Sequence, residues 1–257
     1  MTIHYQTRGF VFKKEDVNES DRNFSIFTED YGRIDIFAKA IRKSVSKLRS
    51  GIDIFSMSDI EFIQGKSRKT LTDAQVVAGS TNLSKNLPKF KIANDVGELL
   101  DSFLRGQEKD ERIFNLINET FTKLDNCTSF EPEGSQGLNG STAKPYTLIC
   151  YFFLWNFLSL LGYHPEVQKC ASCHEKLIPH SLYFSSKDGG IICEKCSVKK
   201  EGIIKVNSDV VKILRLILKT DWQILAKLKI EQDSQKLFQE ISDNYYDYYL
   251  NNSFKNN

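Results

Sequence analysis

Apolar and polar positions alternate through the first eighty residues. Gly9-Phe10-Val11-Phe12 is an apolar run stopped by Lys13, Lys14 and Glu15. Phe24 and Ile26 alternate with Ser25, and Ile34 and Ile36 alternate with Asp35 after the turn signal Tyr31-Gly32. Ile52, Ile54, Phe55, Met57, Ile60 and Phe62 keep a period near two but slip phase twice, the mark of bulges or a strongly coiled strand. Leu71 to Gly79 supplies a last strand. Five short strands over residues 1–80 predict a small closed barrel. An OB-type barrel is the first choice, with an SH3-like barrel as the alternative that strand counting leaves open.

From residue 80 the period becomes helical. Ile92, Val96, Leu99, Leu100, Phe103 and Leu104 share one helical face, with Gly106 as its C-cap. Ile113, Leu116, Ile117, Phe121 and Leu124 mark a second helix. Further helices follow residue 145 and Ser208, the latter read as an N-cap, and a last one carries Leu237, Phe238, Ile241, Tyr245, Tyr248 and Tyr249. Asp125 to Lys144, rich in Gly and small polar residues, reads as a mobile loop, and the Asn-rich tail from Asn251 as frayed. The predicted organisation is α+β and multi-domain: a barrel over 1–80, then a helical domain over 81–257 with a metal-binding finger at about 165–203.

Composition narrows the class. The 257 residues hold 35 Lys plus Arg against 33 Asp plus Glu, so bulk attraction to a polyanion is excluded and nucleic-acid binding requires a local patch. The start of the chain has no apolar signal-peptide core, and the most apolar stretch, Tyr146 to Leu161, is too short to cross a bilayer. A cytoplasmic location with reduced thiols is the expectation, which makes the cysteines metal ligands or inert core thiols rather than a disulfide framework.

Cys170-Ala-Ser-Cys173 and Cys193-Glu-Lys-Cys196 form two CxxC pairs at the spacing of four-cysteine zinc sites. Each pair places two sulfurs on one side of a tight knuckle, and two knuckles complete a tetrahedron. Gly189-Gly190 permits the turn between them. One structural Zn²⁺ is the expectation, with an inert pair of dithiols as the bland alternative. Cys170-Ala-Ser-Cys173-His174 also fits the CxxCH haem-attachment string, but that chemistry needs export and leaves the second pair unexplained. Four thiolates close the coordination sphere, which argues against catalytic zinc. Cys127 and Cys150 have no partner pattern and read as ordinary thiols.

The cations cluster in the first domain. Lys39, Arg42, Lys43, Lys47 and Arg49 lie in a stretch with no acid between Asp35 and Asp53. Lys66, Arg68 and Lys69 fall in a strand–strand loop, and Lys13, Lys14 and Arg33 near strand ends. On a barrel these loops can share a rim and bind phosphates, and the interspersed serines suit phosphate hydrogen bonding. A solvated loop is the bland reading. Phe10, Phe24, Phe27, Tyr31 and Phe37 can stack bases, although core packing is the better assignment for most of them. His4, His164, His174 and His180 sit in no catalytic motif, and there is no P-loop, so the protein is not expected to be an enzyme.

The order of features, Thr7-Arg8-Gly9-Phe10-Val11-Phe12-Lys13, then Glu19-Ser20-Asp21-Arg22, Phe27-Thr28-Glu29-Asp30-Tyr31-Gly32-Arg33, Ala38-Lys39-Ala40-Ile41-Arg42-Lys43, and finally Leu160-Leu161-Gly162-Tyr163-His164-Pro165 leading into Cys170, resembles the RecO family of bacterial recombination mediators. The resemblance covers nearly the whole chain. It implies an N-terminal OB-fold, a helical C-terminal domain with an embedded zinc finger, and a nucleoid-associated role in daughter-strand gap repair. It also implies binding to single- and double-stranded DNA, annealing of complementary strands, engagement of single-strand-binding protein, and partnership with RecR in loading RecA. Carried onto this chain, the zinc ligands fall on Cys170, Cys173, Cys193 and Cys196, and the DNA-contacting stretch on Lys39, Arg42 and Lys43. His174 stands where the family usually has Gly, and the Asp125–Lys144 loop is long for it.

The acidic, apolar tail of single-strand-binding protein needs an apolar groove edged by cations, for which Val210–Lys219, with Lys212, Arg215 and Lys219, is a candidate beside its reading as a core helix. The competing functional class is a zinc-stabilised adaptor that binds proteins without touching DNA.

Overall fold

The computed structural model describes residues 3–79, 83, 85–106, 108–126, 145–198, 200–220, 222–227 and 230–253. Cys127 and nearly all of the expected Asp125–Lys144 loop lie outside them. The chain divides into two compact units, residues 1–140 with 144–150, and 141–143 with 151–257. The first unit therefore continues beyond the change of pattern at residue 80.

Unit 1 is built on β1 (His4–Asp16), β2 (Arg22–Thr28), β3 (Gly32–Ala38), β4 (Met57–Gln64) and β5 (Lys69–Ala78). They close into a barrel in the order β1-β2-β3-β5-β4. All neighbours are antiparallel except β3 and β5, which pair in parallel through Ile36 with Lys69 and Phe37 with Thr70. This order and that short parallel junction identify the OB-type arrangement and set aside the SH3-like alternative. Tracing partners round the barrel, from His4 through Ile63, Thr70, Phe37 and Asn23, returns to β1 at Glu15. A stagger of that size requires strongly tilted strands. The alternating residues Phe24, Ile26, Ile34, Ile36, Ile60 and Phe62 fill the interior with Val11 and Leu71.

The phase slips have structural causes. Pairing shifts register between Val11 and Lys13 in β1, and at Met57/Ser58 and Glu61/Phe62 in β4. Ile52, Ile54 and Phe55, expected in a strand, instead belong to the turn that precedes β4. Phe55 takes a left-handed φ of 58° there, and its ring packs between Phe90 and Phe121. Burial of Ile52 and Phe55 gave the segment an apolar pattern without strand geometry.

Helices α1 (Leu87–Phe103) and α2 (Glu111–Asn126) also belong to the unit. Asn86 caps α1 by accepting from the Lys89 N–H, and Pro88 suits the first turn. The helix ends at Leu104, whose N–H bonds the Leu100 carbonyl, two residues before the expected stop at Gly106. Phe121 of α2 lies 4.2 Å from Phe10 of β1, centroid to centroid.

Helix α3 (Pro145–Leu160) belongs to unit 2 from Tyr151 onward, and its Phe152, Phe153, Leu154, Trp155, Phe157 and Leu158 are all buried. A helix apolar on every side is a core helix, and among the described residues no helix is long and apolar enough to cross a membrane. Its end explains the Leu-Gly-Tyr string. Gly162 has φ +96°, its N–H bonds the Ser159 carbonyl, and the Tyr163 N–H bonds Leu158, which is a Schellman stop. Tyr245 then donates to the Tyr163 carbonyl at 2.7 Å while stacking on Trp155 at 4.4 Å.

The remaining elements are β6 (Leu182–Ser185), β7 (Gly190–Cys193), α4 (Glu194–Ser197), β8 (Ile203–Val206), α5 (Ser208–Leu218), α6 (Trp222–Lys227) and α7 (Gln232–Ser253). The strands form one sheet in the order β7-β6-β8. Asn207, not Ser208, caps α5 by accepting from the Val210 N–H. Val210, Val211, Ile213, Leu214 and Ile217 of α5 are buried, so its apolar side is core. The chain stays helical through Asn251 to Ser253 rather than fraying at Asn251.

Candidate nucleic-acid interface and metal centre

The parallel β3–β5 junction decides which cations meet. It brings the end of β3, which opens the Lys39–Arg49 connection, beside the start of β5, which follows the Lys66–Arg68 loop. β2 begins at the same end, since Arg22 pairs with Ala38, and Asp16 at the close of β1 pairs with Arg22. Cations distant in sequence thus gather at one end of the barrel. Lys39, Lys43, Lys47, Arg49 and Lys66 are exposed there and make no salt bridge among the described residues. Lys69, half-buried, makes none either. Arg68 stacks over Phe37, its guanidinium carbon 3.6 Å from the ring centre.

Four other candidates are engaged. Arg42 donates to the Asn18 carbonyl at 2.9 Å and lies 3.4 Å from Asp16. Lys14 pairs with Asp53 at 2.8 Å. Lys13 and Arg33 both reach Asp101 on α1, at 2.9 and 2.7 Å. Arg33 is 16% exposed, donates to the carbonyls of Asp101 and Leu104, and lies over Phe12. That side chain fastens α1 to the barrel. Burial pushes the Asp101 carboxyl up, but hydrogen bonds from Lys13 and Arg33 outweigh it and hold it below the ordinary value.

Phe10, Phe24, Phe27 and Phe37 are buried, and Tyr31 packs edge-on against Tyr5 and Phe62. The rings serve the core, which leaves charge as what this end presents. Sequence reasoning missed Arg22, which lines a cleft of about 430 Å³ with Lys14, Arg42 and Arg49. The available signal was its position at the mouth of β2, opposite the strand end that leads into the basic stretch.

In unit 2 the backbone builds a sulfur cluster. Glu166 bonds across to the β6–β7 turn, its N–H to Gly189 and its carbonyl to the Ile191 N–H, each at 2.8 Å. This delivers the chain to Cys170, whose sulfur accepts backbone N–H groups of Cys173 at 3.5 Å and Cys193 at 3.3 Å. Gly189 and Gly190 both take positive φ in the turn before β7. Cys193 precedes α4, and Cys196 lies on it. The four sulfurs lie within 4.8 Å of one another.

The cluster fits a tetrahedral ion. Sulfurs about 2.3 Å from a central zinc stand about 3.8 Å apart, and Cys173 and Cys193 are separated by 3.8 Å. Burial pushes the Cys170 thiol up, but the N–H groups of Cys173, Cys193 and Ser172 prevail and bring it down to about 6. The Cys173 thiol accepts from the Glu175 N–H, which pulls it down, yet its crowding against the other sulfurs pushes it to about 12. Four such groups do not ionise together without a cation among them. His174, following the first knuckle, takes φ 63° while its N–H bonds the Cys170 carbonyl, so a histidine occupies a conformation that favours glycine.

Comparisons with known proteins agree with this architecture. Residues 1–80 match the family described as recombination protein O N terminal, and residues 136–257 match recombination protein O C terminal. A protein of Dehalococcoides mccartyi named DNA repair protein RecO is 34% identical over 230 residues, 89% of this chain and 84% of its own length. Proteins of the same name from Caldanaerobacter subterraneus and Listeria innocua are 26% and 24% identical, over 91% and 94% of this chain and 90% and 88% of their own lengths.

Proposed function

The chain belongs to the RecO family of DNA repair proteins, and on that premise we propose that it is a non-enzymatic mediator that binds single- and double-stranded DNA and anneals complementary strands. The observation that carries this reading is the set of exposed cations on the β3–β4 connection, Lys39, Lys43, Lys47 and Arg49, at one end of an OB barrel. Two nucleic-acid strands repel each other. Cations that neutralise backbone phosphates lower that barrier and release counterions, while bases left unheld remain free to pair. Buried rings and exposed cations suit this division. No bond-making step is needed.

In this reading one Zn²⁺ is held by Cys170, Cys173, Cys193 and Cys196. The ion supplies folding energy, and the residues supply four thiolates and the N–H groups that fix Cys170. The protein acts in the cytoplasm at the nucleoid, engages RecR and the acidic tail of single-strand-binding protein, and so helps load RecA. Lys212 on the solvent side of α5, where it pairs with the exposed Asp209, and Lys219 at the C-cap suit such a tail, whereas Arg215 is committed to the Val167 carbonyl. The test is annealing of complementary oligonucleotides coated with single-strand-binding protein, without nucleotide. Acceleration that falls steeply with salt is expected. No acceleration, with no binding in dilute buffer, favours a protein-only adaptor.

A further inference from the structure

The 430 Å³ cleft on the barrel draws Lys14 from β1, Arg22 from β2, and Arg42 and Arg49 from the β3–β4 connection. Its volume is in the range of small-ligand sites. Ile41 and Ile52 line it too, but they are almost wholly buried members of the barrel core. Among the described residues no aromatic ring lines the cleft, and Phe24, which lies 6.0 Å from the Arg22 guanidinium, is itself buried. The site offers three planar guanidinium groups and an ammonium without an aromatic side chain. That chemistry selects phosphate oxygens.

Two carboxylates already hold three of these cations. Asp16 accepts from Arg22 Nε at 2.7 Å and lies 3.4 Å from Arg42, bridging the two. Asp53 accepts from Lys14 at 2.8 Å. Arg42 is independently steadied by the Asn18 carbonyl, and Arg49 makes no salt bridge among the described residues. A carboxylate and a phosphodiester present a guanidinium with the same charge and similar oxygens. We propose that the cleft is a subsite for one backbone phosphate of a nucleic-acid strand, and that Asp16 and Asp53 are competitors which that phosphate displaces. The inference rests on the DNA-binding reading and deepens it.

The exchange is easy. Asp16 and Asp53 side chains are 45% and 66% exposed, and ion pairs this open shift an equilibrium by at most about fivefold. A phosphate taken at this modest net gain is held without fixing its base and is released readily, as a strand searching for its complement requires.

The experiment measures anisotropy of a labelled twenty-nucleotide oligothymidine across a salt series, with the full chain and with Asp16→Asn, Arg49→Gln and Arg22→Gln. Asp16→Asn is expected to tighten binding about two- to fivefold. Arg49→Gln and Arg22→Gln are expected to weaken it and to lower the salt slope by at most about 0.7, the share of the one phosphate they hold together. Arg49 is the control for folding, because its loss breaks no salt bridge. An abasic strand of the same length should show the same pattern. Asp16→Asn weakening binding as the arginine variants do would make the carboxylate a positioning group and overturn the proposal. So would arginine variants that match a wild type able to bind, or losses confined to the base-bearing strand. A wild type that binds neither strand overturns the DNA-binding reading itself and this subsite with it.

Discussion

Replacing Asp101 by alanine removes the acceptor that joins α1 to the barrel. Arg33 would keep the Asp101 and Leu104 carbonyls but lose its nearer carboxylate while only 16% exposed, leaving the open Asp35 at 3.8 Å. Hydrogen bonds to charged groups contribute about 1.5–3 kcal/mol, and the loss leaves a mostly buried guanidinium with only the distant, exposed Asp35 carboxylate. Lys13 is 38% exposed and adds less than about 1 kcal/mol. The expected cost of Asp101→Ala is therefore about 2–3 kcal/mol, with a coupling of about 1–2 kcal/mol to Arg33→Ala in a double-mutant cycle. Both tryptophans, Trp155 and Trp222, lie in unit 2, so their fluorescence does not follow this unit. Amide hydrogen exchange of β1 and β3 does. The depressed Asp101 carboxyl also fixes a sign: its contribution is complete above the unfolded carboxylate value of about 3.9 and disappears as pH falls through the lower folded value. Coupling below about 0.3 kcal/mol would refute the clamp. So would Arg33→Ala protein that is fully folded yet has lost oligonucleotide binding, because Arg33 would then be a DNA contact.

Two further outcomes concern the sulfur cluster. His174→Gly relieves a left-handed histidine after the first knuckle and should stabilise the metal-bound ribbon by about 1 kcal/mol, read as a higher chelator concentration at half-release; earlier release would show that the histidine contributes something besides its backbone. Co²⁺ added to metal-free protein should give the intense charge-transfer bands of a tetrahedral four-thiolate site, and Cys170→Ser should weaken them and loosen β6 and β7 in hydrogen exchange; a spectrum with an open or oxygen-rich position would contradict the closed site.

The barrel and the cysteine site were legible for different reasons. Phe24, Ile26, Ile34 and Ile36 alternate because one face of each strand fills a closed interior, so period two survives in the sequence. The two CxxC pairs were legible because ligand spacing is local and chemically restrictive. Ile52 and Phe55 misled because burial in a turn leaves the same apolar mark as burial in a strand. The cap of α5 was misplaced by one residue because Asn207 and Ser208 are both good caps, and only the bond to Val210 distinguishes them. Lys13 and Arg33 looked like their exposed neighbours because nothing local announces Asp101, 68 residues beyond Arg33. Arg22 went unnoticed for the converse reason. It is isolated in sequence and joins the cations through the β1–β2 and β2–β3 registers.

The central claim is that exposed cations at one end of the barrel grip nucleic-acid backbones. Its most direct test is the salt dependence of oligothymidine binding by the wild type and by Lys39→Ala/Lys43→Ala/Lys47→Ala, a variant that breaks no salt bridge among the described residues. If each lysine meets a phosphate, the triple variant binds more weakly to every sequence, and its slope against log salt is shallower by about 2, at about 0.7 per phosphate contact. Equal slopes for the two proteins would contradict the account.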